Sequence, residues 1–101
     1  MRVPAGARVE QSMVATAATI ERSVIGRGAV VEAGAVGRDS VVLPGAVVRK
    51  GATVERAILD DLVRVARGVR VGDPGGDIAL VGLRATVEQD LPAGARLPDV
   101  D

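Results

Sequence analysis

A six-residue repeat constrains this chain more than any other feature of its sequence. The clearest stretch reads Ile25-Gly-Arg-Gly-Ala-Val30, Val31-Glu-Ala-Gly-Ala-Val36 and Gly37-Arg-Asp-Ser-Val-Val42. It continues as a pentad, Leu43-Pro-Gly-Ala-Val47, followed by Val48-Arg-Lys-Gly-Ala-Thr53 and Val54-Glu-Arg-Ala-Ile58. Leu59-Asp-Asp-Leu-Val-Arg64, Val65-Ala-Arg-Gly-Val-Arg70 and Val71-Gly72 complete the run. The first place is usually aliphatic, the second Gly or charged, and the fifth small or aliphatic. Upstream, Val3, Val9, Ala15 and Ile20 lead units of the same kind, with Ala7, Met13, Thr19 and Val24 in fifth place. The later fifth places are Ala29, Ala35, Val41, Val47, Ala52, Ile58, Val63 and Val69. None of these twelve is charged, although 26% of the chain is and random order would place about three charges among them.

A period of six has a direct physical reading. The fifth residue of one unit and the first of the next lie two apart, and alternate residues of a strand share a face. Ala29 and Val31 are therefore expected to point inward with Val30 outward between them. Each unit becomes a short strand and a bend, and three such faces close a triangular coil of about 18 residues, stacked at about 4.8 Å. A helical reading fails on Gly26, Gly28, Gly34, Gly37, Gly45, Gly51 and Gly68, each of which costs about 1 kcal/mol inside a helix. The many β-branched valines also favour strands. The chain lacks Phe, Tyr and Trp, which suits a narrow prism with little room at its corners.

The register breaks at Gly72-Asp-Pro-Gly-Gly-Asp77, where Pro and paired Gly indicate a loop bulging from the coil. Ile78-Ala-Leu80 and Val81-Gly-Leu-Arg-Ala-Thr86 then resume as strands, and Val87 opens another unit. The two ends mirror one another: Val3-Pro-Ala-Gly-Ala-Arg-Val9 and Leu91-Pro-Ala-Gly-Ala-Arg-Leu97. The expectation is one domain over residues 1–101, with regular coils over about 3–72, a loop at about 72–77 and further strands over about 78–97. A repeat already under way at Val3 is expected to leave strand edges that something else should cover.

Missing residue types narrow the chemistry. The chain has no His and no Cys, which excludes the usual zinc sites, Ser-His and Cys-His nucleophiles, and disulfides. Thirteen basic residues (twelve Arg and Lys50) balance thirteen acidic ones, with the signs interspersed. No basic block points to nucleic acid or an anionic membrane surface. No apolar run reaches a membrane-span length of about 18–20 residues. The start lacks the long apolar core of a signal peptide, so a cytoplasmic location is expected.

Over residues 25–71 the pattern resembles that of hexapeptide-repeat proteins, whose fold is a left-handed parallel β-helix; the hand is implied by that resemblance alone. More specifically, Asp39-Ser-Val-Val-Leu-Pro-Gly-Ala-Val-Val48 followed by Arg56-Ala-Ile-Leu-Asp60 resembles the C-terminal domain of ADP-glucose pyrophosphorylase and related bacterial sugar-1-phosphate nucleotidyltransferases. Ile20-Glu-Arg-Ser-Val-Ile-Gly26 fits the preceding coil of that family, and the resemblance extends over about residues 3–72. In such an enzyme a catalytic domain transfers a nucleotidyl group from ATP to glucose 1-phosphate, releasing pyrophosphate. The resemblance thus implies a regulatory and oligomerisation module in glycogen biosynthesis, with a nucleotidyltransferase domain or further copies of itself as partner. No cofactor is expected in this chain, and Mg²⁺ belongs only to the catalytic domain. Asp61 stands where the family often carries an activator-linked Lys, a departure that bears on any effector site.

Individual motifs read more plainly. Asp60-Asp61 resembles half of a Mg²⁺ site but reads as an exposed bend, and residues 73–77 read as a turn rather than a Ca²⁺ or phosphate loop. Gly26-Arg-Gly-Ala29 is a corner, because no helix follows it. Arg suits anion recognition; of Arg27, Arg49, Arg56, Arg64, Arg67 and Arg70, the candidate contacts for a phosphorylated metabolite are Arg49, Arg56 and Arg67, against the alternative of a solvated outer surface. No catalytic, cofactor-binding or metal-ligating residue is expected. A self-stacking structural β-helix is the alternative function. A hexapeptide acyltransferase ranks third, because such enzymes generally use a His as base.

Overall fold

In the computed structural model, which describes residues 8–9 and 13–97, all regular structure is β and no helix occurs among the described residues. The first sheet runs β1 (Arg8–Val9), β4 (Val24–Ile25), β7 (Val41–Val42), β10 (Ala57–Leu59), β13 (Ala79–Val81) and β15 (Arg96–Leu97), in that order. The second holds β2 (Met13–Val14), β5 (Val30–Val31), β8 (Val47–Val48), β11 (Arg64–Val65) and β14 (Thr86–Val87). The third holds β3 (Thr19–Glu21), β6 (Val36–Arg38), β9 (Thr53–Glu55) and β12 (Arg70–Val71). Every pairing is parallel, and strands consecutive in sequence fall on different sheets. The chain is therefore a β-solenoid of about five turns, the hexapeptide-repeat β-helix that its periodicity implies.

The coil is shorter than the expected 18 residues. Ile25 pairs with Val42, Val31 with Val48 and Gly37 with Val54, and the bonded Arg22 and Asp39 side chains also lie 17 apart. Two faces take six residues and the third takes five. The five-residue face turns at Arg22, Asp39 and Arg56, whose φ angles of +45°, +49° and +46° make the corner in one residue fewer.

This shift corrects the frame inferred from the hexads. The five-residue units are 20–24, 37–41 and 54–58; the pentad falls at 37–41 rather than 43–47, so buried Val42 leads the next unit and Leu43 is only half-buried. In the tight units the inward small residues are Ser23, Ser40 and Ala57, while Val24, Val41 and Ile58 face outward. Ala46 is buried in place of Val47, and Ala18 in place of Thr19. Val14, rather than Ala15, stands in register with Val31, and Met13 is exposed. In strands a slip of one residue exchanges the two faces. The expected inward places Ala29, Ala35, Ala52, Val63 and Val69 are buried. Val3 and Ala7 lie outside the described residues.

The core is a column of alternating small and branched residues: Ala18 and Ile20, Ala29 and Val31, Ala46 and Val48, Ala52 and Val54, Ala57 and Leu59, Ala79 and Val81. Full burial of each branched side chain contributes about 1.5–3 kcal/mol. Gly37, the one leading position without a side chain here, is filled from below: a Cβ on it would lie 3.5 Å from Ile20 Cδ1.

After β12 the chain leaves the 17-residue rhythm. Leu59 pairs with Val81, 22 positions on, because residues 72–78 bulge outward before β13 begins. Gly72 starts the bulge with φ +82°, and any Cβ there would collide with the carbonyl of Glu55. The bulge folds back on the last turn, where Gly94 N–H donates to Asp77 O at 2.9 Å and Gly76 packs against Ala93. Leu91 bridges Val71 and so continues the third sheet above β12.

Candidate functional site

The tight corner between the third and first sheets is the most polar part of the coil. Its tip is a vertical ladder in which the Arg22 guanidinium donates to both Asp39 carboxylate oxygens, at 2.6 and 3.1 Å, with Arg56 one coil further on. Arg22 holds the Asp39 carboxyl below the ordinary carboxylate range, first through these hydrogen bonds and then through its charge. Reciprocally, the bond to Asp39 raises Arg22 above the usual guanidinium value.

A second ladder lies one residue before the first. Arg38 Nε donates to Glu21 Oε1 at 2.6 Å and its Nη1 to Glu55 Oε2 at 3.4 Å, while Arg70 Nη2 reaches Glu55 Oε1 at 3.1 Å. Glu55 is only 2% exposed, so its carboxylate depends on these two guanidiniums to offset lost hydration. Hydrogen bonds to Glu21 and then Glu55 raise Arg38 further.

Inside the same corner, buried hydroxyls satisfy backbone groups. Ser23 Oγ donates to Glu21 O at 2.8 Å and accepts from Ser40 N–H at 3.1 Å. Ser40 repeats this one coil on, donating to Arg38 O at 2.7 Å and accepting from Ala57 N–H at 3.2 Å. Arg22-Ser-Val24, Asp39-Ser-Val41 and Arg56-Ala-Ile58 are therefore three stacked copies of one corner. The Asp39-Ser-Val and Arg56-Ala-Ile motifs, which carry the pyrophosphorylase resemblance, build this turn: small residue inward, branched residue outward.

The candidate effector arginines do not converge. Arg49 follows β8 and faces Glu32 at 3.9 Å. Arg67 is exposed on the same corner, between the second and third sheets, one coil further along. Arg56 sits on the tight corner, with its Nε buried and without a hydrogen-bond partner. Asp60 is engaged locally, its Oδ1 accepting the Asp61 N–H at 2.7 Å, and Asp73 Oδ1 caps Gly75 N–H at 3.5 Å in the same manner. Among the described residues no three carboxylates come together as a metal site.

The feature that sequence reasoning missed is on the outside of the first sheet. Val24, Val41, Ile58 and Leu80 stack in register as an outward apolar ladder, with Val24 and Leu80 each 37% exposed. Near its C-terminal end Leu43, Ile58, Leu80 and Leu97 line a recess of about 320 Å³ that also takes in Asp60 and Arg96. The signal was present in the sequence as three branched residues, Val24, Val41 and Ile58, at 17-residue spacing, each after a small residue. Giving five-residue units the inward fifth place of a hexad puts Val24 and Ile58 in the core, and reading 37–42 as a hexad does the same for Val41.

Comparison with known proteins follows the architecture. A family model described as "GlmU-like, C-terminal hexapeptide" matches residues 3–80. Among solved structures, the chain is similar to the H141A mutant of GDP-perosamine N-acetyl transferase from Caulobacter crescentus in complex with CoA and GDP-perosamine. The identity is 25% and the TM-score 0.48, over 93% of this chain and 50% of that one, so this chain spans half the length of that neighbour. Curated proteins gave no match.

Proposed function

The chain belongs to the GlmU-like, C-terminal hexapeptide family, and from that premise we propose that it is a non-catalytic assembly module of a sugar-nucleotide pyrophosphorylase of the glucose-1-phosphate adenylyltransferase kind. The observation that carries this reading is the apolar ladder Val24, Val41, Ile58 and Leu80 on an outer face. In water such a continuous strip favours a partner surface, and burying it removes apolar area at about 25 cal/mol per Å². The partner is a nucleotidyltransferase domain or a second copy of this chain. The tight-corner ladders support the same reading, because their arginines and acids are used to hold coils together. Mg²⁺ and nucleoside triphosphate enter with the catalytic domain, in the cytoplasm, and Arg49, Arg56 and Arg67 remain the candidates for contacting a phosphorylated effector.

The test combines mass measurement with activity assays. The purified chain is expected to form a defined small oligomer, or a complex with a nucleotidyltransferase domain, and Ile58→Glu should disperse it without unfolding it. Sugar-nucleotide synthesis, or acetyl transfer from acetyl-CoA to an amino sugar, by the 101-residue chain alone would overturn the non-catalytic reading. Concentration-dependent fibres in light scattering would favour the self-stacking structural alternative instead.

A further inference from the structure

The corner between the first and second sheets changes character along the solenoid. Its successive positions are Gly28, Gly45, Leu62 and Arg84, all left-handed, with φ of +73°, +76°, +60° and +61°. Glycine adopts this conformation freely, whereas a side chain there is strained, and such strain concentrates at sites with a task. Leu62 uses the position to lie over Gly45. Arg84 instead carries a positive charge into an open recess of about 380 Å³ that it lines with Gly45, Leu62, Arg64 and Thr86.

The walls of this recess are held by backbone. Arg64 is the outward residue of β11, in register with Val47 on one side and Thr86 on the other. Arg84 N–H donates to Asp61 O at 3.0 Å, and Ala85 N–H closes the turn on Gly82 O at 3.1 Å. Arg22, Arg38, Arg49 and Arg70 are each ion-paired, whereas Arg64 and Arg84, like Arg27, Arg56, Arg67 and Arg96, form no ion pair among the described residues; Arg64 and Arg84 are the two that line one recess together. Two guanidiniums lining one recess make it locally positive, which favours an anion there. Guanidinium forks match the paired oxygens of an oxyanion, and a threonine hydroxyl adds a further donor.

We propose that this recess binds a phosphate-bearing anion between Arg64 and Arg84, with the Thr86 hydroxyl donating to the same group. Its residues are different from Arg49, Arg56 and Arg67, and it does not rest on the assembly role proposed above.

The experiment titrates the purified chain with inorganic phosphate and, separately, with glucose 6-phosphate at constant ionic strength, by calorimetry and by NMR of the arginine Nε signals. Saturable binding that shifts Arg64 and Arg84 is expected. Arg64→Gln should weaken it about tenfold, the loss of one charged hydrogen-bonding partner. Arg84→Gly should weaken it at least as much while leaving Tm unchanged or raised, since glycine relieves the positive φ. That pairing of lost binding with retained stability separates a ligand role from a structural one. Arg27→Gln, an exposed arginine beside Gly28 on the same corner, should leave binding unchanged. Equal affinity for the two probes assigns the site to free phosphate, and tighter binding of the sugar phosphate assigns it to a phosphorylated metabolite; both support the proposal. An equal loss in Arg27→Gln, binding that survives Arg84→Gly, or no response beyond that to chloride would overturn it.

Discussion

Two corner columns of the solenoid solve the same geometric problem with different chemistry. The column of Gly34, Gly51 and Gly68, between the second and third sheets, turns in a six-residue unit and admits positive φ by having no side chain. The column of Arg22, Asp39 and Arg56 turns in a five-residue unit, also at positive φ, with full side chains throughout. It is held by the Arg22–Asp39 pair outside, the Glu21–Arg38–Glu55–Arg70 ladder beside it and the Ser23 and Ser40 hydroxyls within. The first column is stable residue by residue. The second is stable only as a stack, because its cross-links come from the neighbouring coil, 15 to 17 residues away. Local conformational freedom and non-local hydrogen bonding are interchangeable ways to turn a coil, but only the second ties neighbouring coils together.

Substitutions that break the stacked column should therefore cost more than those in the glycine column. Ser40→Leu is expected to have the largest effect, because it overfills the corner and leaves Ala57 N–H unbonded. A loss of about 3 kcal/mol or more in denaturant unfolding is expected, against about 1 kcal/mol for Ser40→Ala. The tolerance of alanine follows from Ala57, which occupies the equivalent place one coil on.

Arg38→Ala comes next. It removes one of the two guanidiniums on the buried Glu55 carboxylate and separates Glu21 from the ladder, a loss of about 2 kcal/mol measurable by urea unfolding. Double substitution with Arg70→Ala should exceed the sum of the singles, because Glu55 then has no cation left.

In the glycine columns the effects are smaller and depend on what stands above. A Cβ on Gly45 would meet Leu62 Cδ2 at 2.7 Å, whereas one on Gly68 meets nothing within 4 Å. Gly45→Ala is expected to lower stability by about 2 kcal/mol and Gly68→Ala by about 1 kcal/mol, the second representing backbone strain alone. Equal values would mean that Leu62 swings away at no cost.

The smallest effect belongs to the exposed Arg22–Asp39 pair and is read from pH. Asp39 has a folded-state pKa below its unfolded value, so its contribution is complete above the unfolded carboxylate range. That contribution declines as pH falls through the depressed folded value. Asp39→Asn should flatten this acid limb in thermal melts while leaving neutral-pH stability nearly unchanged, as surface ion pairs contribute little.

The contrast between the corners also explains which parts of the sequence were readable. Hexads with Gly at the bend announce their own conformation, so the inward pairs Ala29 with Val31, Ala35 with Gly37 and Ala52 with Val54 follow from the repeat alone. The tight corner has no such local sign. Arg22, Asp39 and Arg56 look like solvated surface, and nothing in their own chemistry shows that they turn at positive φ. Counting on in sixes then displaced Val41, Leu43 and Val47 by one residue and hid the outer apolar ladder. The candidate arginines were less legible still. The separation of Arg56 from Arg49 and Arg67, and the gathering of Arg64 and Arg84, follow from which coil lies above which.

By itself the sequence determined the class of fold. Its six-residue period, scattered glycines and excess of valine admit a three-faced parallel β coil and little else, since period and residue size are local properties. The absence of histidine and cysteine likewise removed whole classes of chemistry, because a side chain that is missing cannot be supplied by folding. Only the tertiary structure decided the length of the coil and the direction of each side chain at the tight corner. Strand faces exchange with a single-residue shift, and the choice between five and six residues rests on ion pairs and hydroxyl bonds made across the stack.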